Sequence, residues 1–265
     1  MALALGRAAL SILVVEDDEA LRGSIRDVLS AQGFWVDVAA YDVAANDAGL
    51  IFLSGGKGEW TDIAVVDTAK EAVVTRWGGV WNRSFVQLSA DQKRVYYSSQ
   101  GVSPGTLDAL VIPRELGDKP VTYRAAFPGR QRLGGEFQLT PDGRYLLCKT
   151  GTVLRLSATR DDDLKFHTSL EPFVAAAVDA DARAAFVLTR DGTLEQYSYP
   201  DFRLRTSHRI GVTAFQAVCD GPQGKLYVAG LDPRTVAERP RAKGFGEIYV
   251  YEVKDLQPAT KQASK

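Results

Sequence analysis

The chain changes its hydrophobic period near residue 40. Residues 11–40 read as strand, helix, strand. Ile12 to Val15 form a continuous apolar run, as in a strand buried on both faces. Asp17 or Asp18 can cap the helix that follows, and Leu21, Ile25, Val28 and Leu29 recur at helical spacing. Gly33 stops that helix, and Phe34 to Ala40 complete a second strand. Beyond residue 40 the helical period is gone. Short apolar runs, separated by turn residues, take its place.

Five of these stretches are alike: 42–56, 84–101, 136–151, 173–192 and 214–230. Each reads as a strand, a turn with an aspartate, and a second apolar strand. Asp47, Asp91, Asp142, Asp181 and Asp220 mark the turns, with steps of 44, 51, 39 and 39 residues. A third strand follows in every unit, at 62–69, 107–113, 152–158, 193–199 and 247–253. Four units add a fourth, at 72–77, 121–127, 165–170 and 203–210, and the fifth lacks one.

Repeats of roughly 40–45 residues with four strands each predict the blades of a propeller. One meander buries little alone, whereas stacked meanders bury both faces of each sheet. The small residues of Ala175 to Ala177 suit an innermost strand. The expected fold class is mainly β: about five four-stranded blades, as a full ring or a partial one, preceded by a short β-α-β segment. The expected division is an N-terminal fragment at 1–40, a propeller at 41–256 and a disordered tail at 257–265. The strand WVDVAA (35–40) is a candidate to fill the vacant place in the last blade and so remove a free edge.

The stretches LSADQKRVYY, LTPDGRYLL and DIAVVDTAKEAVV resemble bacterial beta-propellers of the YVTN and WD-repeat-like kind, although the WD dipeptide is absent. The resemblance covers about four fifths of the chain and implies a binding platform. The stretch ILVVEDDEALRGSIRDVLSAQGFWVDVAA (12–40) resembles the start of a response-regulator receiver domain. That resemblance implies a Mg²⁺ site at Glu16 and Asp17, since oxygen ligands suit this hard ion. It further implies a phosphoacceptor at Asp67, a hydroxyl at Ser98 and a lysine at Lys119 before Pro120. Three departures oppose a complete receiver. Turn signals bracket 41–60, a hairpin pattern follows Asp67, and GVSPGT breaks the helix due after Ser98.

The net charge is −1, so no bulk field favours nucleic acid or an anionic membrane. No apolar stretch reaches ~18 residues, and no membrane span or signal peptide is predicted. Cys148 and Cys219 read as buried free thiols, compatible with a cytoplasmic setting. The two histidines, His167 and His208, fall in outer strands. GGKG (55–58) lacks the spacing of a phosphate-binding loop and reads as a hairpin. Asp161 to Asp163 read as a turn rather than a Ca²⁺ site, and Trp60, Trp77 and Trp81 as packing between blades. The basic insertion carrying Arg234, Arg239, Arg241 and Lys243 is a candidate loop for an acidic partner.

The expectation drawn from all this is a non-enzymatic propeller, without cofactor, that recognises a protein or peptide through its loop face in bacterial signalling. The alternative is a Mg²⁺-dependent response regulator phosphorylated on Asp67.

Overall fold

A computed structural model describes residues 11–15, 35–54, 60–70, 72–81, 84–99, 105–126, 133–210, 213–220, 222–231 and 247–253. Strands β1 (Ser11–Val15) and β2 (Trp35–Ala40) pair in parallel, in a two-stranded sheet of their own. The helix expected between them falls outside the described residues. Strand β2 does not fill the last meander, as the sequence suggested; its partner is β1.

The rest is a succession of antiparallel meanders. The first comprises β3 (Asp42–Ala45), β4 (Leu50–Ser54), β5 (Trp60–Asp67) and β6 (Ala72–Trp81). The second comprises β7 (Ser84–Leu88), β8 (Arg94–Ser99), β9 (Leu107–Val111) and β10 (Val121–Arg124). The third comprises β11 (Phe137–Leu139), β12 (Tyr145–Cys148), β13 (Thr152–Arg155) and β14 (Lys165–Ser169). The fourth comprises β15 (Phe173–Asp179), β16 (Ala184–Thr189), β17 (Thr193–Ser198) and β18 (Leu204–Arg209). The fifth has three strands among the described residues: β19 (Thr213–Asp220), β20 (Lys225–Leu231) and β21 (Glu247–Glu252).

The chain divides into two compact units, residues 1–125 with 133–137, and residues 126–132 with 138–265. In the first unit, one face of the first meander packs on the second. Phe52, Ile63, Val65, Trp77 and Val80 meet Val86, Val95 and Leu110. Side chains alternate across a strand, so this face takes every second residue. Polar groups lock the same contact. The Asp42 carboxylate accepts from the Val86 N–H at 2.8 Å, and the Ser54 hydroxyl donates to the Ser84 carbonyl.

In the second unit the fourth meander is apolar on both faces. Ala176, Val178, Ala185, Val187 and Tyr197 pack toward the third meander, with Tyr145, Leu147 and Val153. Ala175, Ala177, Phe186, Leu188 and Leu194 pack toward the fifth, with Ala217, Leu226 and Val228. This explains the unbroken apolar run in β16, where both sides of the pleat are buried. Gly151, with φ +96°, lies so close to the Leu170 carbonyl that any side chain at this position would clash.

Phe186 is wholly buried between the fourth and fifth sheets. Phe186→Ala is expected to cost about 3–5 kcal/mol in urea-induced unfolding, the sum of lost transfer energy and cavity. Burial also pushes the Cys148 thiol up to about 12. At pH 8 that thiol should resist a disulfide reagent in the native protein and react once the chain is unfolded.

Candidate functional site

The turns between first and second strands repeat a small polar device. In the second meander the Ser89 hydroxyl donates to Asp91 at 2.6 Å and accepts from the Arg94 N–H at 3.0 Å. In the third, Thr140 donates to Asp142 at 2.7 Å and accepts from the Tyr145 N–H at 3.0 Å. The carboxylate in turn accepts from the backbone two residues on, at Lys93 or Arg144. A hydroxyl and a carboxylate two positions apart thus hold the hairpin without help from other strands.

In the third meander this device is tied to the fourth. The Tyr199 hydroxyl donates to both carboxylate oxygens of Asp142, at 2.7 and 2.6 Å. Tyr199 is buried in an aromatic cluster with Tyr145, Phe202 and His167. Burial works against the Asp142 charge. The hydrogen bonds from Tyr199, Thr140 and the Arg144 N–H outweigh it and hold the carboxyl below its ordinary range. Burial raises the Tyr199 phenol, and the Asp142 hydrogen bond raises it further. His167 closes the cluster, its Nε2 lying 3.1 Å from the Pro200 carbonyl. It sits on a fourth strand, as expected, and is engaged in packing.

The residues of the receiver resemblance are spread over separate elements. Asp67 ends β5, between antiparallel neighbours: it pairs with Leu50 on β4 and Ala72 on β6. Its carboxylate accepts from the N–H groups of Ala69 and Lys70 and forms an ion pair with Lys70 at 3.2 Å. That lysine, with the two N–H groups, holds the carboxyl below its ordinary range. Ser98 lies within β8 of the second meander, buried, its hydroxyl without a hydrogen-bond partner. Lys119 lies in the turn between β9 and β10. Asp67 is therefore a turn-stabilising residue of an antiparallel hairpin, and a parallel receiver sheet is not what these strands form. Glu16 and Asp17 lie outside the described residues, as do the hairpin at 55–58 and the basic segment with Arg234, Arg239, Arg241 and Lys243.

The acidic run is a turn, as expected. Asp161 and Asp162 belong to a short 3-10 helix between β13 and β14, and the Asp163 carboxylate accepts from the Ser157 N–H. Among the described residues no group of three or more His, Cys, Asp and Glu side chains could hold a metal ion. Among the same residues no helix is long and apolar enough to cross a membrane.

Sequence reasoning missed one feature of the tryptophans. Trp77 is buried between the first two meanders, in the packing role expected of it. Trp60, however, is 67% exposed. It opens β5, directly opposite Trp81 at the end of β6, and the two rings meet edge to face at 5.1 Å. An exposed tryptophan packed on a second one presents an apolar step at the end of the β5–β6 pair. Three tryptophans close together in sequence flagged the region, but the faces they occupy could not be read from spacing alone.

The comparisons with known proteins bear on the fold and on the question of catalysis. No family model matches the chain. The chain is similar to a solved structure, hydrazine synthase of Kuenenia stuttgartiensis, with a TM-score of 0.58 at 14% identity. That likeness covers 82% of this chain and 64% of the other, and at this identity it concerns the fold alone. A curated protein from Catenulispora acidiphila, named mycothiol acetyltransferase, is 27% identical over 195 residues, 60% of this chain. The chain spans about 62% of the length of that relative. Because the relative is named for an enzymatic activity, the expectation of a non-enzymatic chain is overturned.

If Tyr199 secures Asp142, Tyr199→Phe should lower stability at neutral pH by about 1–2 kcal/mol. The folded-state pKa of Asp142 is depressed, so its contribution is complete above the ordinary value of 3.8 and is lost as pH falls through the lower folded value. Urea unfolding of both proteins across this range should show the difference shrink below about pH 4.

Proposed function

We propose that the chain is a propeller-type recognition platform that binds a protein or peptide partner at the loop-bearing ends of its meanders. The support for the architecture is the succession of antiparallel meanders whose adjoining faces bury apolar side chains, together with the fold likeness. Rigid sheets with variable loops at their ends suit recognition. The observation that carries the reading is the Trp60–Trp81 pair. A large aromatic side chain held open to solvent by a neighbouring ring costs little entropy on binding, and tryptophan is the residue type most often central to binding energy.

The test is selection of a displayed random-peptide library against the full chain. Enriched peptides should lose affinity by at least about tenfold on Trp60→Ala. Absence of enrichment, or affinities indifferent to Trp60, would remove the proposal.

A second reading comes from the likeness to mycothiol acetyltransferase. Under it the chain transfers an acetyl group, and the test is the appearance of acetylated product when the chain is supplied with an acetyl donor and an acceptor.

A further inference from the structure

The fifth meander breaks the four-strand rule in a way that specifies what it lacks. Its strand order is β19-β20-β21, and among the described residues β21 has no neighbour on its outer side. The corresponding third strands β5, β9, β13 and β17 are each covered by a fourth. An uncovered strand presents backbone N–H and C=O groups ready for a further ladder.

The cross-strand rows of this sheet state the chemistry of the strand that would fit. In antiparallel register, Asp220 stands opposite Lys225, and Lys225 opposite Glu252. Charge alternates along this row as acid, base, acid, so the next position calls for a cation. The second row is Val218, Tyr227 and Val250, and the third is Gln216, Ala229 and Ile248. Val218, Val250 and Ile248 are 55%, 52% and 71% exposed, so these rows call for apolar residues. Of the covered meanders, only the second shows this charge pairing in register; elsewhere Lys165 faces Arg155, Glu195 faces Ser207 and Asp67 faces Ala72. Each fourth strand carries a base: Arg76, Arg124, Lys165, and Arg205 with Arg209. Most third strands carry acids, as with Asp62 and Asp67, Asp108, and Glu195; β13, with Arg155, is the exception. In the second meander the pairing is direct, with Arg124 Nε 2.6 Å from Asp108 Oδ1 across the ladder.

We propose that the outer edge of β21 captures an extended segment of a partner protein as its fourth strand. In the antiparallel sense that segment reads base, any, apolar, any, apolar, which sets the base opposite Glu252 and the apolar residues opposite Val250 and Ile248. Main-chain hydrogen bonds supply the affinity, and the alternate side chains supply the selectivity. This inference stands on strand order and register and is independent of the loop-face reading.

The probe is the fluorescein-labelled peptide Gly-Ser-Arg-Thr-Val-Thr-Val-Thr-Ser-Gly, measured by anisotropy against the full chain. Saturable binding is expected, weakened by added salt. Glu252→Lys should reduce affinity by about tenfold, and a peptide with Glu in place of Arg should recover it on that variant. Hydrogen exchange should show the outward-facing amides of 247–252, those not bonded to β20, slowed only when peptide is present. No binding, or binding indifferent to Glu252→Lys, would overturn the proposal. So would outward-facing amides of 247–252 that are equally protected without peptide, because a segment of the chain itself would then hold the edge. Trp60→Ala should leave this binding unchanged, which separates its failure from that of the loop-face reading.

Discussion

The fourth meander has two apolar faces, and water can be excluded from a face only by laying another sheet against it. This constraint organises the described residues. In β16 it forces a strand with no polar alternation, because Ala185 and Val187 face one neighbour while Phe186 and Leu188 face the other. In the first meander it selects Phe52, Ile63 and Val65 for the covered face and leaves Val43 and Val73 partly exposed on the other. At roughly 25 cal/mol per Å² of apolar surface, such contacts are the main favourable term in a chain whose two cysteines are free thiols.

Close stacking brings polar backbone into places that water cannot reach, and the chain meets this with short side chains. Asp42 accepts the Val86 N–H of the adjoining sheet. The Gln87 amide donates to the Phe137 carbonyl, and the Gln138 amide to that of Ala176. These two glutamines occupy the same place, two residues before the hydroxyl that holds the turn. Burial raises the Asp42 carboxyl, although the N–H groups of Val86 and Val43 oppose the shift. Tyr199 and Asp142 do similar work between the third and fourth meanders. Much of the conspicuous titratable chemistry is therefore architectural. Asp67, the best phosphoacceptor candidate by spacing, is spent on its own turn.

The proposals made above rest on what the stacking leaves uncovered among the described residues: the Trp60 step and the outer edge of β21. Neither is a motif of residue types in sequence. The curated relative is named for an enzymatic activity, and the structural likeness at 14% identity concerns the fold alone.

Among the described residues beyond residue 40, the amino-acid pattern alone determined the number and kind of strands, because alternation and turn residues act over a few positions. The expected third and fourth strands coincide with β5, β9, β13, β17 and β21 and with β6, β10, β14 and β18 to within a few residues. The aspartates that marked the turns were a sound guide to location but mixed three geometries. Asp91 and Asp142 sit two residues after a hydroxyl, whereas Asp220 receives the Gln223 N–H itself and Asp47 reaches across to Gln92. Pairing partners were not legible. Strand β2 joins β1 in parallel rather than completing the fifth meander, since a strand's residues do not name the edge it meets. Which tryptophan is buried, which carboxylate is consumed by a turn and which edge stays open were decided only when the sheets stacked. Burial and register are properties of neighbours that lie far apart along the chain.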